Sequence, residues 1–373
     1  MSNPPKCTLV LSNIPRTFTL GIDLQFFNSN DLLKGIKLIP KGLHVFHYQP
    51  DQNSIRTGFY FEAKENEVII CYWDAKEEKL LVGGDEVGEL NITKEMTKLP
   101  EYYSFMIVYP EQESSLTKWQ SLVSHLSSSQ LQYVLPRGNS IDSTLTSTQE
   151  NNLLLQTLHQ SAELRTMAPS KDPILNSVID QSDLELKYTP IEMKDSIRPN
   201  STPQEKTIDG LDKSWYLGHL LKTQYNTSQH TILGETQLCY LNFIIFANHS
   251  SLQQWLKLQH IISNCSEIII SQMPMYQSFL HLMILQYENL PQEYFQEFIE
   301  VKFIKKSIAE LELNCKEQNL HSLVKLIWNW KDVLREKFYV NFDKSSRFGN
   351  DILDDYDLSD EFDEDGPVVV EEF

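Results

Sequence analysis

The hydrophobic pattern of this chain changes period once, and that change limits the folds open to it. Up to Tyr109, apolar residues come in short runs rich in β-branched and aromatic side chains, separated by Asn, Asp, Gly and Pro. Such runs are typical of β-strands. From Gly210 to about residue 342 the apolar residues recur at helical spacing. We therefore predict a multidomain α+β protein, with a β-rich, sandwich- or barrel-like amino-terminal domain followed by an all-α helical carboxy-terminal domain.

Eight short strands are predicted in the amino-terminal region, and a helix over Ser114–Leu131, capped by Ser114 or Ser115, closes it. Val68–Trp73 is apolar throughout, which indicates a strand covered on both faces. The predicted strands are Thr8–Leu11, Phe18–Ile22, Ile36–Ile39, His44–Tyr48, Gly58–Phe61, Val68–Trp73, Lys79–Val82 and Phe105–Tyr109.

The carboxy-terminal half is predicted to be a helical bundle or an α-solenoid-like stack. Thr231–Phe246 is nearly all apolar, so we expect it at the centre of the bundle. Pro274 and Pro291 each suit the first turn of a helix. The predicted helices are Leu211–Thr223, Thr231–Phe246, Ser250–Ser263, Met275–Tyr287, Pro291–Phe303 and Leu320–Val340.

Four regions are predicted from these patterns and from composition. Residues 1–137 form the β-rich domain and its closing helix, and residues 138–209 form a linker rich in Ser, Thr and Pro. Residues 210–345 form the helical domain, and residues 346–373 form an acidic tail. Within the linker, five prolines disfavour helix, so Pro199–Thr207 is expected to be a linker or an extended segment.

The charge of the chain is concentrated at its end. The net charge is −19, and from Asp351 onward there are eleven Asp or Glu and no Lys or Arg, so the other 350 residues carry only −8. An acidic body with no basic stripe argues against direct nucleic-acid binding, which needs Lys and Arg to neutralise phosphates. A basic protein partner fits this charge better.

The cysteines and apolar runs indicate a soluble, intracellular protein without a zinc site or disulfides. The five cysteines are scattered, with no CxxC pair, so neither a zinc site nor a disulfide framework is expected. The amino terminus lacks the apolar core of a signal peptide, and no run approaches the length of a membrane span.

One stretch, Gly21–Tyr48, brings Asp23, His44 and His47 close together in sequence, in a strand, turn, strand, turn, strand pattern. Successive side chains of a strand alternate faces, so His44 and His47 point to opposite sides and cannot easily share a metal. The simpler interpretation is one structural or interface histidine on each face, with Asp23 fixing a turn.

Two other functions remain open at this point. Asp23 and His44 with a distant serine could form a hydrolytic triad, although the motifs GxSxG, HExxH and GxxxxGK[ST] are absent. Alternatively, Phe59, Tyr60, Tyr72 and Trp73 could stack on RNA, but the neighbouring residues have more acids than bases.

The tail has two interpretations. Asp351–Asp365 alternates acids with apolar residues and is expected to be disordered alone. It is followed by Pro367, Val368, Val369 and Val370, a composition suited to a strand that adds to the sheet edge of a partner. The alternative is a solvated tail that only aids solubility.

Several motifs in order resemble the mating-type-cistron splicing factor family, in its yeast-type form. The first spans Gly21, Asp23, Gly35, Pro40, Gly42, His44 and His47, the signature positions expected to be structural. The others are Arg56–Phe61, Thr148–Glu150, Ile197–Pro199, Leu211–Leu217, Leu233–Gln237, Gln254–Trp255, Leu290–Tyr294 and the acidic tail ending in Pro367-Val368-Val369.

This resemblance implies a role in splicing, without catalysis, cofactor or metal. Members of the family are assembly factors of the U-five small nuclear ribonucleoprotein (snRNP), present in nucleus and cytoplasm. They bind the RNase H-like and Jab/MPN domains of the large spliceosomal scaffold protein and are later exchanged for a helicase. The resemblance further implies that Val368–Val370 bridges the two partner domains. Phosphorylation could release the factor, since added negative charge can break an acidic interface.

Overall fold

A computed structural model describes residues 6–83, 87–110, 113–164, 184–225 and 229–342. The predictions made for the acidic tail, including Pro367–Val370, lie outside these residues. Among the described helices, none is long and apolar enough to cross a membrane.

Ten strands are present in the described part of the chain. Each predicted strand is found with small changes at its ends, and two strands, β3 and β10, were missed. The strands are β1 (Cys7–Ser12), β2 (Thr19–Ile22), β3 (Gln25–Asn28), β4 (Gly35–Ile39), β5 (Gly42–Gln49), β6 (Thr57–Ala63), β7 (Val68–Asp74), β8 (Lys79–Val82), β9 (Ile107–Val108) and β10 (Ser140–Asp142).

These strands form two five-stranded sheets, with the orders β8-β7-β1-β4-β9 and β10-β6-β5-β2-β3. In the first sheet β1 pairs in parallel with β7 and antiparallel with β4, whereas the second is antiparallel throughout. Side chains of both sheets share one buried core, to which Leu9 and Ile36 contribute from the first and Leu20, Phe46 and Phe59 from the second. The predicted sandwich- or barrel-like domain is confirmed, and it is a sandwich.

A helix that the periodicity did not reveal covers the outer face of the first sheet. This helix, α1 (Glu89–Tyr102), packs Ile92 and Leu99 against Val10 and Ile70. Pro100 lies inside it. Val10 and Ile70 alternate with the sandwich residues along their strands, so both faces of the first sheet are buried.

The single helix predicted over Ser114–Leu131 is instead two, α2 (Glu113–Leu122) and α3 (Ser128–Val134). The single-helix prediction is wrong because Ser127 is extended, with φ −113° and ψ 153°, and its side chain accepts from the backbone N–H of Gln130. The chain leaves α2 after Leu122, and the Ser127 cap starts a new helix.

The remaining helices run from the middle of the chain to its last described residues. They are α4 (Thr148–Leu164), α5 (Pro203–Leu211), α6 (Ser214–Thr223), α7 (Gln229–Phe246), α8 (His249–Ser263), α9 (Met273–Asn289), α10 (Gln292–Phe298), α11 (Val301–Glu317) and α12 (His321–Phe338).

Two helix predictions need correction. Pro199–Thr207 was expected to be a linker or an extended segment, yet α5 begins at Pro203, because Thr202 and Glu205 form a capping box and Pro203 occupies the first turn. The helix predicted over Pro291–Phe303 is divided at Ile299 and Glu300, which are extended, and α11 begins at Val301. Pro274 lies in the first turn of α9, as predicted.

Contacts divide the chain into two compact units, Met1–Tyr188 with Gln229–Leu256 and Thr189–Ser228 with Lys257–Phe373. Helix α7 was expected at the centre of a helical bundle, and this is wrong: it is buried in the first unit, with the sandwich. An apolar helix needs a buried environment, but its pattern does not say whether helices or a sheet supply it. The four-part division of the chain stays a prediction.

In the second unit, helices α9, α10 and α12 enclose an aromatic core. Trp330 is fully buried next to Phe279 and Tyr287, and Phe295 stacks on Phe338 with ring centroids 4.1 Å apart. Aromatic pairs at these distances stabilise beyond the area they bury.

Candidate functional site

The signature residues converge on Asp23, which lies in the two-residue turn between β2 and β3. Its backbone φ is 55°, a left-handed conformation that Asp tolerates better than most residues. The Asp23 N–H donates to the Val45 carbonyl at 2.8 Å, and Asp23 Oδ1 accepts from the Val45 N–H at 3.0 Å. The turn is thereby fixed to β5.

The other carboxylate oxygen of Asp23 faces two donors inside the sandwich. His44 Nδ1 lies 2.8 Å from Asp23 Oδ2, and the Tyr109 hydroxyl donates to the same oxygen at 2.6 Å. His44 Nε2 donates to the Pro40 carbonyl at 2.9 Å. That carbonyl can only accept, so Nε2 carries a proton, and both ring nitrogens of His44 are held by internal partners.

His47 points to the opposite face of the second sheet, as strand alternation predicts. Its Nε2 donates to the backbone carbonyl of Asp23 at 3.1 Å, and its ring lies against Phe26 and Phe246. Burial lowers the pKa of His47 to about 3; the Asp23 carbonyl opposes this shift and nearby Arg56 adds to it. His47 is therefore neutral at physiological pH.

The signature glycines make room for this arrangement. A Cβ on Gly21 would lie 1.9 Å from Cε1 of His47, so only glycine lets the ring cover the backbone of β2. Gly35 has φ of +150°, and a Cβ there would lie 2.1 Å from the Leu9 carbonyl oxygen of β1. Gly42, the first residue of β5, has φ of +135°. The glycines thus serve backbone geometry and close packing.

The Asp23 cluster, which we define as Asp23, His44, Tyr109 and the Pro40 carbonyl, does not resemble a catalytic triad. The His44 nitrogen that would activate a serine is bonded to a backbone carbonyl instead, and His44 is 2% exposed. A base that neither substrate nor nucleophile can reach does not support hydrolysis.

The described residues also contain no group of three His, Cys, Asp or Glu side chains that could hold a metal. All five cysteines are free and buried. Burial raises the pKa of Cys7 to about 11 and that of Cys265 and Cys315 to about 12, so these thiols stay protonated and unreactive.

The aromatic residues weighed as an RNA platform are mostly interior. Phe59, Tyr60 and Trp73 are buried, and the Tyr60 hydroxyl donates to Asn242. The Tyr72 hydroxyl accepts from the Asn13 amide at 2.8 Å. Three of the four rings therefore cannot present a face to a base.

Sequence reasoning missed a buried hydrogen-bond chain that connects the second sheet to helices α7 and α8. Tyr60 donates to Asn242 Oδ1 at 2.8 Å, and Asn242 Nδ2 donates to the Tyr188 hydroxyl at 2.9 Å. The Tyr188 hydroxyl bonds to Ser251 Oγ at 2.7 Å, and Ser251 donates to Asn248. Periodicity gives no signal for such a chain, because its members are polar residues far apart in sequence.

The motif Leu233–Gln237 belongs to the same region. Gly234 allows α7 to approach α3 closely, since a Cβ there would lie 2.3 Å from Gln130 Oε1. Gln237 Oε1 accepts from the His125 N–H at 2.8 Å, and its Nε2 donates to the Ser121 carbonyl at 3.0 Å. The resemblance signalled this motif, but only the structure shows what it contacts.

Motifs of the second unit form a separate polar cluster. Arg198 makes a bidentate pair with the buried Asp209, at 2.7 and 2.8 Å, and Lys213 Nζ donates to the carbonyls of Asp209 and Gly210. The hydrogen bond from Arg198 lowers the pKa of Asp209 despite burial. These contacts hold α5 against the start of α6.

Comparison with known proteins agrees with the pattern of motifs. Residues 5–136 match the family described as AAR2 N-terminal domain, and residues 188–343 match the AAR2 C-terminal repeat region. The A1 cistron-splicing factor AAR2 of Saccharomyces cerevisiae is 27% identical, with 97% of each chain covered. The protein AAR2 homolog of Mus musculus is 22% identical over 78% of each chain, and that of Caenorhabditis elegans is 21% identical over 90% of this chain and 94% of its own.

Proposed function

We propose that this chain, which belongs to the AAR2 splicing factor family, is a non-catalytic assembly factor that works by binding other spliceosomal proteins. The relation to splicing follows from family membership. What we add is the mode of action: the factor binds the RNase H-like and Jab/MPN domains of the large spliceosomal scaffold protein in a U-five snRNP precursor and keeps the helicase from binding too early.

One observation favours binding over catalysis. In the Asp23 cluster, both carboxylate oxygens of Asp23 and both ring nitrogens of His44 are committed to internal hydrogen bonds. The residue pair that most resembled a catalytic site therefore stabilises the fold. This favours a function in protein binding over one in catalysis.

The tail is proposed to contribute a strand. Pro367, Val368, Val369 and Val370 would add to a sheet edge of the scaffold domains, with main-chain hydrogen bonds giving affinity. The acidic run before them would meet basic surfaces of the partner, in keeping with the charge of the chain. Residence in both cytoplasm and nucleus, and release by phosphorylation, belong to the same proposal.

A binding experiment with the full-length protein tests this proposal. The purified protein is incubated with the RNase H-like domain, the Jab/MPN domain, or both, and complexes are recovered by affinity tag. We expect a ternary complex that weakens when Pro367–Phe373 is removed. A variant with Gly366–Phe373 scrambled is the matched control, because it keeps length and charge but breaks the valine run; it should bind as weakly as the deletion.

The result that would contradict the proposal is absence of binding in every combination while circular dichroism shows a folded body. Equal affinity of the intact, deleted and scrambled proteins would leave the proposed assembly role in place but contradict the proposed role of the tail strand.

A further inference from the structure

A charged and aromatic surface lies where α11 and α12 pack together in the second unit. Glu312 Oε1 accepts from Trp328 Nε1 at 2.8 Å and pairs with Lys316 at 2.7 Å, and its Oε2 pairs with Lys331. Burial alone would raise the pKa of Glu312, but the hydrogen bonds from Lys316, Lys331 and Trp328 lower it to about 2. Two lysines on one carboxylate leave a local excess of positive charge.

Apolar side chains are exposed beside this charge. Trp328 is 51% exposed and Leu313 is 52% exposed. Lys325 and Arg335 lie one turn before and two turns after Trp328, on the same side of α12. We call this set the Trp328 surface; its members are Leu313, Lys316, Lys325, Trp328 and Arg335.

The charge of α11 and α12 differs in sign from that of the whole chain. From Val301 to Phe338 there are eight Lys or Arg against five Asp or Glu, in a protein whose net charge is −19. Acids are present as well, with Asp332 paired to Arg335 and Glu317 at the end of α11. The balance nevertheless favours an acidic ligand.

The described chain ends next to this surface. The Lys331 ammonium lies 5.4 Å from the ring centroid of Phe342, within cation–π range. The chain continues for 31 residues beyond Phe342, and its acidic run begins at Asp351. Nine residues span up to about 30 Å when extended, whereas packed helix axes lie about 10 Å apart. The acidic run is therefore within reach of the Trp328 surface.

We propose that Asp351–Asp365 docks on the Trp328 surface of its own chain. The apolar residues of the run contact Trp328 and Leu313, and its carboxylates pair with Lys316, Lys325 and Arg335. Those apolar residues are Ile352, Leu353, Tyr356, Leu358 and Phe362. This contact goes beyond the proposed function, since it gives the tail a binding site in the absence of any partner.

Carbodiimide coupling of the full-length protein tests the contact without a partner. The reagent joins a carboxylate to a lysine only where the two are already in contact, and mass spectrometry identifies the linked peptides. An equal mixture of 14N- and 15N-labelled protein separates links within one chain from links between copies. We expect links from Asp351–Asp365 to Lys316 and Lys325, confined to single chains and weakened by 0.5 M salt.

Two variants and a control sharpen the test. Trp328→Ala, which removes an exposed ring, should lower the Lys316 link about fivefold. Lys325→Glu should lower it to a similar extent. Lys222→Glu, which reverses an exposed charge on α6, should leave it unchanged. Links spread evenly over the lysines of the chain, or unaltered by both variants, would overturn the proposal. Links mainly between 14N and 15N chains would overturn it in favour of a second copy as the occupant.

Discussion

The hydroxyl of Tyr109 donates to the carboxylate of Asp23 across 2.6 Å, although 86 positions separate the two residues. Tyr109 follows the edge strand of one sheet, and Asp23 lies in a turn of the other. The bond therefore crosses the sandwich and joins the two sheets at a buried point.

Replacing Tyr109 with Phe removes one donor from a buried carboxylate and leaves its space filled. We expect the free energy of unfolding to fall by about 1–3 kcal/mol, the range for a buried polar group that loses a hydrogen-bond partner. Urea unfolding, monitored by circular dichroism, measures this change in free energy. Tyr133→Phe is the control, since Tyr133 is 69% exposed; an equal loss in both variants would contradict the role given to Asp23.

Replacing Gly21 with Ala places a methyl group 1.9 Å from the His47 ring. The ring must move and lose its bond to Asp23, so stability should fall by about 3 kcal/mol. Gly210→Ala is the matched control, because it lies in α5 with nothing within 4 Å of the added Cβ. That change should stabilise by about 0.5–1 kcal/mol, and melting temperatures shifted in the same direction would refute the packing argument.

Asn242→Ala breaks two buried hydrogen bonds at once, one from Tyr60 and one to Tyr188. Since both hydroxyls are left without this partner, we expect a loss of about 2–4 kcal/mol. Asn329→Ala, on the exposed side of α12, should change stability by less than about 0.5 kcal/mol. Equal unfolding midpoints for the two variants would show that the chain of hydrogen bonds contributes nothing.

The pKa of His47 predicts acid sensitivity. It is about 3 in the folded protein against 6.5 for an unperturbed histidine, so below pH 6.5 the unfolded state binds a proton that the folded state does not. Stability should therefore fall as pH drops, by about 2 kcal/mol from this group between pH 6.5 and pH 5. His260, whose pKa burial lowers to about 4, acts in the same direction.

The measurement is the urea midpoint at pH 7.5 and at pH 5. His47→Gln should show a smaller difference between the two midpoints than the natural protein, whatever its absolute stability. A difference as large as that of the natural protein would mean that His47 does not carry the effect.

The sequence predicts the sandwich well because alternation and turn residues are local properties. It placed His44 and His47 on opposite faces for that reason. It missed α1, whose apolar residues are sparse and whose interior holds Pro100. It also misplaced α7. A helix that is apolar on all sides must be buried, but its sequence does not say whether helices or a sheet bury it.

In the Asp23 cluster too, the sequence reveals partners that are close along the chain and not those that the tertiary fold brings in. Asp23 and His44 could be paired from one short stretch of sequence, but Tyr109 and the Pro40 carbonyl could not. Those two partners decide that the pair is structural, and they come from the tertiary fold, as does the contact of Asn242 with Tyr60 and Tyr188.

If the Asp23 cluster holds the fold together and the proposed function is one of binding, weakening the cluster should lower stability and leave affinity intact. The most direct measurement is the affinity of folded Tyr109→Phe for the RNase H-like and Jab/MPN domains, taken by calorimetry at 10 °C alongside its stability. We predict an affinity within about twofold of the natural protein and a clearly lower free energy of unfolding. Unchanged stability with a tenfold or greater loss of affinity would make the cluster a functional site and contradict this account.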